Sequence, residues 1–308
     1  MSSFPFLSQT TFARCSGLQP HHLFGVAGVA WDGAVTNRSG ARMGPRAIRE
    51  ASHMLCDATH PWFNVDLEGA LGDAGDLLLP NTNLTGLRKV LPLLARPLIE
   101  RHHMAWLGGD HSITLPLLRV YREFHGRPLA VVHFDAHCDT WADHFGEPCG
   151  HGTWVAEAFN ERLVEPLCFT QIGIRSAAQR YAREFVRDRG GQVFTARSLR
   201  GMASDEQLGP VLHAIRTRWL AAGQPPLYMS LDIDCLDPAY APGTGTPEAA
   251  GLSSSQVFTL VEGLCELPFV GMDCVEVSPP YDHAEITSLV ASQLVWTYLC
   301  GQRALLGH

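Results

Sequence analysis

Compact apolar runs alternate with longer stretches of helical spacing along nearly the whole chain. Phe24 to Trp31, Met104 to Leu107, Leu129 to Val132, Cys168 to Ile174, Gln192 to Thr195, Pro226 to Met229 and Val270 to Val277 read as strands, several of them apolar enough to be buried on both faces. Between them, Pro45 to about Cys56, Thr85 to Arg101, Ser112 to Phe124, Thr153 to Leu163, Leu208 to Ala222, Ser253 to about Cys265 and Ile286 to Leu299 read as helices. Pro45 suits a first helical turn, and Ser253 with Gln256 resembles a capping box. Pro92 and Pro97 should kink or interrupt their helix. Gly72-Asp73-Ala74-Gly75-Asp76 reads as a turn-rich stretch after a short strand, and residues 1–22 as an irregular N-terminal arm. Strand and helix in alternation predict the α/β class, with a mostly parallel sheet covered on both faces. No repeat or linker divides the chain, so a single three-layer α/β/α domain over residues 23–308 is expected.

The ends of these strands carry unusual chemistry. The run Leu129 to Val132 leads into His133-Phe134-Asp135-Ala136-His137-Cys138-Asp139-Thr140. Strand alternation lets Asp135, His137 and Asp139 point the same way. Gly108-Gly109-Asp110-His111-Ser112 follows a second run, and Ser230-Leu231-Asp232-Ile233-Asp234-Cys235-Leu236-Asp237-Pro238 a third. One D-x-H alone reads better as an acidic loop. Together these stretches suggest one site, because ligands of open α/β sheets bind outside the carboxyl ends of the strands. Converging carboxylates would be costly to bury with nothing between them, and a bound cation removes that cost.

The candidate ligands are His111, Asp135, His137, Asp139, Asp232 and Asp234. Four carboxylates carry four negative charges, which two divalent cations would balance. Oxygen donors with two imidazoles favour Mn²⁺ or a similarly hard ion over a thiolate-bound zinc. Cys138 and Cys235 should face away, as small core residues. Two adjacent metal ions can make water nucleophilic near neutral pH, so a hydrolase would further need an acid for the leaving group and an anchor for the substrate. His151, between Gly150 and Gly152, is either that acid or a turn residue. Glu276, flanked by valines near a strand end, needs a cationic partner: a substrate, or an arginine such as Arg38 or Arg42. The loop Ala241 to Pro247 either approaches a small ligand or is simply a tight turn.

Composition narrows the class. The 308 residues are 46% hydrophobic and 18% charged, enough for a sizeable core. No apolar run approaches the roughly 20 residues of a membrane span, and Met1 to Gly17 does not read as a secretory signal. Nine cysteines without paired spacing fit a reducing cytoplasm. The net charge of −8 argues against nucleic acid and towards a cationic small molecule.

The motifs G-G-D-H-S, F-D-A-H-x-D-T, S-x-D-I-D-x-x-D-P and V-E-V-S-P-P-Y-D, in this order, resemble those of the ureohydrolases, the family of arginases, agmatinases and guanidino-acid hydrolases. The resemblance runs from about Phe24 to the last helix. It implies an arginase-like α/β/α fold, two Mn²⁺ per subunit, hydrolysis of a guanidino group to urea and an amine, and assembly as a trimer or hexamer. It also implies that His111, Asp135, Asp139 and Asp232 hold one ion and Asp135, His137, Asp232 and Asp234 the other. The implied catalytic residues are His151, Glu276 and Asp139, with Glu276, Thr246 and Trp141 against the substrate.

Arginases carry an asparagine two residues after the D-x-H-x-D motif, followed by a serine-rich loop. This chain has Trp141 there and no serine in residues 142–146, which disfavours arginine as substrate. His60 to Asn64 and Asp282 to Ser288 look closest to bacterial agmatinases. The loop Trp141 to Gly150 holds Asp143, His144, Phe145 and Glu147 and no Lys or Arg, a lining suited to an ammonium tail. The expected reaction is therefore agmatine to putrescine and urea. Guanidinobutyrase, or another guanidino-acid ureohydrolase, is the alternative; a non-catalytic assembly protein of the same fold is more distant. Dinuclear phosphoesterases carry their motifs in the opposite order, and single-zinc deacetylases would not need all six ligands.

Overall fold

The structure, a computed structural model, describes residues 10–55, 59–143 and 146–307. Among them run β1 (Ser16–Gly17), β2 (Phe24–Val29), β3 (Leu71–Asp76), β4 (His103–Gly108), β5 (Leu129–Phe134), β6 (Val164–Ile174), β7 (Gln192–Thr195), β8 (Leu227–Asp232) and β9 (Phe269–Val275). The helices are α1 (Gly44–Ala51), α2 (Leu84–Ile99), α3 (Thr114–His125), α4 (Trp154–Asn160), the single turns α5 (Arg180–Arg183) and α6 (Phe185–Asp188), α7 (Asp205–Ala221), α8 (Ser254–Leu264) and α9 (Ile286–Leu305). All strands pair in parallel, in the order β1-β3-β2-β4-β9-β8-β5-β6-β7.

That order explains where a site can form. The chain builds β2, β3 and β4 as one half of the sheet and β5, β6 and β7 as the other. It then returns to lay β8 and β9 between β4 and β5. Loops from the two halves diverge there and leave a crevice at the carboxyl ends of β4, β9, β8 and β5.

Strand alternation feeds two cores. Ala105, Leu107, Ala130, Val132, Met229 and Leu231 face α1, α7, α8 and α9, whereas Met104, Trp106, Leu129, Val131 and Tyr228 face α2, α3 and α4. Each fully buried Leu, Val or Phe side chain contributes about 1.5–3 kcal/mol, so both faces stay apolar. Trp106 satisfies its indole N–H on the Tyr121 hydroxyl at 3.1 Å. Both predicted capping residues of α8 are in place: Ser253 accepts from the Gln256 amide while the Gln256 side chain accepts from the Ser253 N–H.

Three local expectations change. The stretch Gly72 to Asp76 is strand β3, not a turn. Gly72 is there for close approach, since a Cβ would stand 2.3 Å from His22 Nδ1. The aspartates of β3 answer a buried charge: Asp73 accepts two bonds from Arg49 at 2.8 and 2.9 Å, and Asp76 takes a third. Secondly, α2 runs through Pro92 and Pro97 as one helix. Leu87, Leu91, Ala95 and Ile99, at four-residue spacing, are buried along it, and their packing offsets the hydrogen bonds the prolines cannot make. Thirdly, the N-terminal segment contributes Phe12 to the core and β1 to the sheet edge. The expected helix end at Cys56 lies outside the described residues. Among the described residues no helix is long and apolar enough to cross a membrane.

Candidate active site

The four central strands deliver the chemistry together. Beyond β4, Gly109 passes so close to the Trp31 carbonyl that a Cβ would lie 1.9 Å from its oxygen, so only glycine lets the chain turn there. Asp110 then accepts from the amides of Ala34 at 2.8 Å and Ser112 at 3.0 Å, which starts the turn carrying His111. Beyond β5, Asp135 Oδ1 accepts from the His137 amide at 2.6 Å, and at the end of β8 Asp232 Oδ1 accepts from the Asp234 amide at 2.8 Å. Asp234 Oδ1 accepts from the Ala136 amide at 3.0 Å and ties the two motifs together. Asp139 and Glu276 sit in left-handed backbone conformations, φ 52° and 64°, at roughly 1–3 kcal/mol each.

The predicted ligands converge in two groups. His111 Nδ1 lies 3.2 Å from Asp135 Oδ2, 3.3 Å from Asp139 Oδ2 and 3.1 Å from Asp232 Oδ2. His137 Nδ1 lies 3.0 Å from Asp234 Oδ2 and 3.3 Å from Asp135 Oδ1. Asp135 thus presents one oxygen to each group. His111 Nε2 donates to Ser230 Oγ at 2.8 Å, and that hydroxyl donates to Asp273 Oδ1 at 2.7 Å. This chain turns the other ring nitrogen, Nδ1, towards the carboxylates, as a metal-binding histidine requires. His111 Nδ1 is buried and makes no hydrogen bond of its own.

Electrostatics point the same way. Burial, then the charges of Asp234 and Asp135, push Asp232 well above the carboxylate range. Burial and Asp135 raise Asp139 to about 8. Burial opposes the charging of His111 and His137, yet the surrounding carboxylates hold both well above the usual imidazole range. The cluster gathers negative charge where water does not reach, which is what a cation relieves. Its donors are carboxylate oxygens and imidazole nitrogens. Cys138 and Cys235 turn into apolar surroundings, and burial raises both thiols. The residues fit a site for a hard or borderline metal ion.

A cavity of about 380 Å³ opens above this cluster, with His111, Asp139 and Asp232 in its wall beside Trp141, His151 and Thr246. Thr246 Oγ1 donates to Asp234 Oδ2 at 3.3 Å. His151 is 8% exposed, and its Nδ1 donates to Glu276 Oε1 at 2.8 Å. On the other side, Nε2 accepts from the Thr36 amide at 3.1 Å and meets the Thr36 hydroxyl at 2.9 Å. Burial lowers the proton affinity of His151, but Glu276 outweighs it and the pKa rises to about 9. Glu276 Oε1 also accepts from the His111 amide at 2.8 Å, while Oε2 is buried without a hydrogen-bond partner. Neither arginine considered for Glu276 is engaged with it: Arg42 pairs with Asp32, and Arg38 lies over the Tyr281 ring.

Asp143 and Ser176 also line the cavity, while His144 and Phe145 lie outside the described residues. Arg175, next to Ser176, spends its guanidinium on backbone carbonyls, among them Asp234 at 2.8 Å, Glu248 at 2.7 Å and Leu236 at 3.0 Å. His133, Ser230, Asp273 and Thr36 join the site without a role that the sequence alone assigns. A polar residue inside an apolar strand was the available signal for His133 and Asp273. Thr36 had none, since it meets His151 only across 115 residues of chain.

Comparison with known proteins agrees with this geometry. The model of the arginase family matches residues 22–301. An agmatinase of Chromobacterium violaceum is 39% identical over 289 residues, covering 90% of this chain and 83% of the relative. Among solved structures, a hypothetical agmatinase from Burkholderia thailandensis superposes with a TM-score of 0.86 at 36% identity, over 97% of this chain and 92% of that one. The proclavaminate amidino hydrolase of Streptomyces clavuligerus gives 0.85 at 34%, over 98% and 100%. With its fold, its acidic strand-end cluster and these relatives in agreement, the chain belongs to the arginase family and is an enzyme of the ureohydrolase type.

Proposed function

We propose that this ureohydrolase cleaves agmatine to putrescine and urea. The observation that carries the substrate is the charge of the cavity mouth. Asp143 and Trp141 line it, no Lys or Arg occurs from Trp141 to Gly150, and the neighbouring Arg175 is spent on carbonyls. A carboxylate tail entering there would lose its water without gaining a cationic partner, whereas an ammonium gains an acid and an aromatic face. A relative 39% identical carries the name agmatinase, which supports the same choice.

Two Mn²⁺ held by His111, Asp135, His137, Asp139, Asp232 and Asp234 would neutralise the buried carboxylates and lower the pKa of water towards about 7. The chain supplies the rest. Glu276 Oε2, buried and unpartnered, is suited to pair with guanidinium N–H groups. His151 accepts from the Thr36 amide at Nε2 and so carries its proton on Nδ1 beside Glu276, the proton it would pass to the amine that leaves as the C–N bond breaks. Thr36 fixes the ring from behind, and Thr246, which lines the cavity and donates to Asp234, would meet the substrate beside that carboxylate. The enzyme is further proposed to be a cytoplasmic homo-oligomer, trimer or hexamer. The eight free cysteines among the described residues support a reducing compartment, and light scattering tests the assembly.

The deciding experiment is kcat/KM for agmatine, 4-guanidinobutyrate and arginine side by side with Mn²⁺ present. Agmatine should exceed both by at least about tenfold, the scale of one unpaired charge. A preference for guanidinobutyrate would reject the charge argument for the mouth while leaving the ureohydrolase assignment intact.

A further inference from the structure

His133 lies fully buried on β5, two residues before Asp135, and a nitrogen of its ring falls within 4.8 Å of donor atoms of His111, Asp135 and Asp139. Two roles compete for such a residue: a further metal ligand, or a hydrogen-bond donor behind the ligands. The surrounding hydrogen bonds decide between them. The Gln171 amide nitrogen donates to the Cys138 carbonyl at 2.9 Å, which fixes which end of that amide is nitrogen. The same nitrogen stands 3.2 Å from His133 Nδ1, so Nδ1 must accept and cannot carry the ring's proton. The proton is therefore on Nε2, which lies 2.7 Å from Asp135 Oδ2. A nitrogen that carries its proton towards a carboxylate has no lone pair left for a metal. The ring is held edge-on against Trp154 and Phe169, which leaves it little freedom to turn.

We infer that His133 is a positioning residue of the metal centre: it donates Nε2–H to Asp135 Oδ2, its tautomer being set by Gln171 and the Cys138 carbonyl. Asp135 is the carboxylate that presents one oxygen to each ligand group, Oδ2 beside His111 and Oδ1 beside His137. Its backbone-facing oxygen is already held by the His137 amide, so the His133 bond fixes the second oxygen and with it the plane of the carboxylate. The inference rests on the metal-dependent reading above, and it adds how the shared ligand is oriented.

The test is Mn²⁺ binding to the chelator-treated protein by titration calorimetry, with no substrate present. His133→Phe keeps the ring packing and removes the donor. It should keep the number of ions bound at saturation and raise Kd about 10–100-fold, the usual cost of losing a partner behind a ligand. His133→Gln returns an N–H at the Nε2 position and should recover most of that loss. Gln171→Leu, further from the cluster, should raise Kd about tenfold and serves if the His133 variants do not fold. Wild-type affinity in the His133→Phe or Gln171→Leu protein would overturn the proposal alone. Loss of one ion at saturation in His133→Phe would also overturn it, by making His133 a ligand. Absence of Mn²⁺ binding in the wild type would overturn both this proposal and the metal-dependent reading.

Discussion

His151 is held on both sides, by Glu276 Oε1 at 2.8 Å and by the Thr36 amide at 3.1 Å. A histidine serving only as a turn residue would need neither bond. Replacing it by Asn should lower kcat by about 10²–10⁴-fold, the usual contribution of general acid–base catalysis, with Mn²⁺ content unchanged. Single-turnover rates and metal analysis of the same preparation check this. An unaltered chemical step would remove His151 from the proton path. The neighbouring Glu276 shows how a residue can be half-readable: a glutamate between valines announces a buried charge. That its Oε1 is committed to His111 and His151 while Oε2 stays open depends on a contact spanning 165 residues.

At the scale of elements, a buried charge clamp joins α1 to β3. Arg49 is fully buried and binds Asp73 and Asp76, and Asp73 Oδ2 also accepts from the Phe12 amide at 2.8 Å. Three segments, the N-terminal stretch, α1 and β3, therefore meet on one ion cluster. Arg49→Met would leave two carboxylates unpaired in a dry place, and removing one partner of a buried pair costs about 3–5 kcal/mol. Chemical denaturation should show a loss of that size, and a far smaller one on breaking the exposed pair Arg46–Glu50, which water already screens. Equal losses would mean that the clamp is well hydrated. The same cluster is part of why β3 looks like a turn in the sequence: Gly72 answers His22 and its aspartates answer Arg49, which local propensity does not register.

For the whole molecule, the proposed metal centre should couple stability to metal and pH. Without a cation, Asp139 titrates near 8, far above its unfolded value, so the folded form binds a proton that the unfolded form releases. Stability from that source is complete below about pH 4 and is lost as pH rises through 8. A cation held by Asp139 and its neighbours would displace the proton and cancel the loss. The gap in Tm between Mn²⁺-loaded and chelated protein should therefore widen from pH 6 to pH 8, and Mn²⁺ binding at pH 7 should release protons. Differential scanning fluorimetry at both pH values, with a weakly buffered titration, measures both; a gap that narrows would show that the cluster does not hold these protons. What the sequence alone determined is what short-range chemistry encodes. Apolar runs ending in Asp and His mark strand ends, but Asp135, His137 and Asp139 stand past the end of β5 and Asp234 in the turn after β8, so strand alternation is not what gathers them. A serine three residues before a glutamine caps a helix. Tertiary structure decided the rest, because it depends on which strands become neighbours. Only the return of β8 and β9 between β4 and β5 brings Ser230 to His111 across 119 residues, and only the meeting of the loops that follow β2 and β5 brings Thr36 to His151 across 115. Whether an arginine such as Arg175 is free for a ligand or spent on carbonyls is likewise fixed by packing, since its charge is visible in the chain but its partners are not.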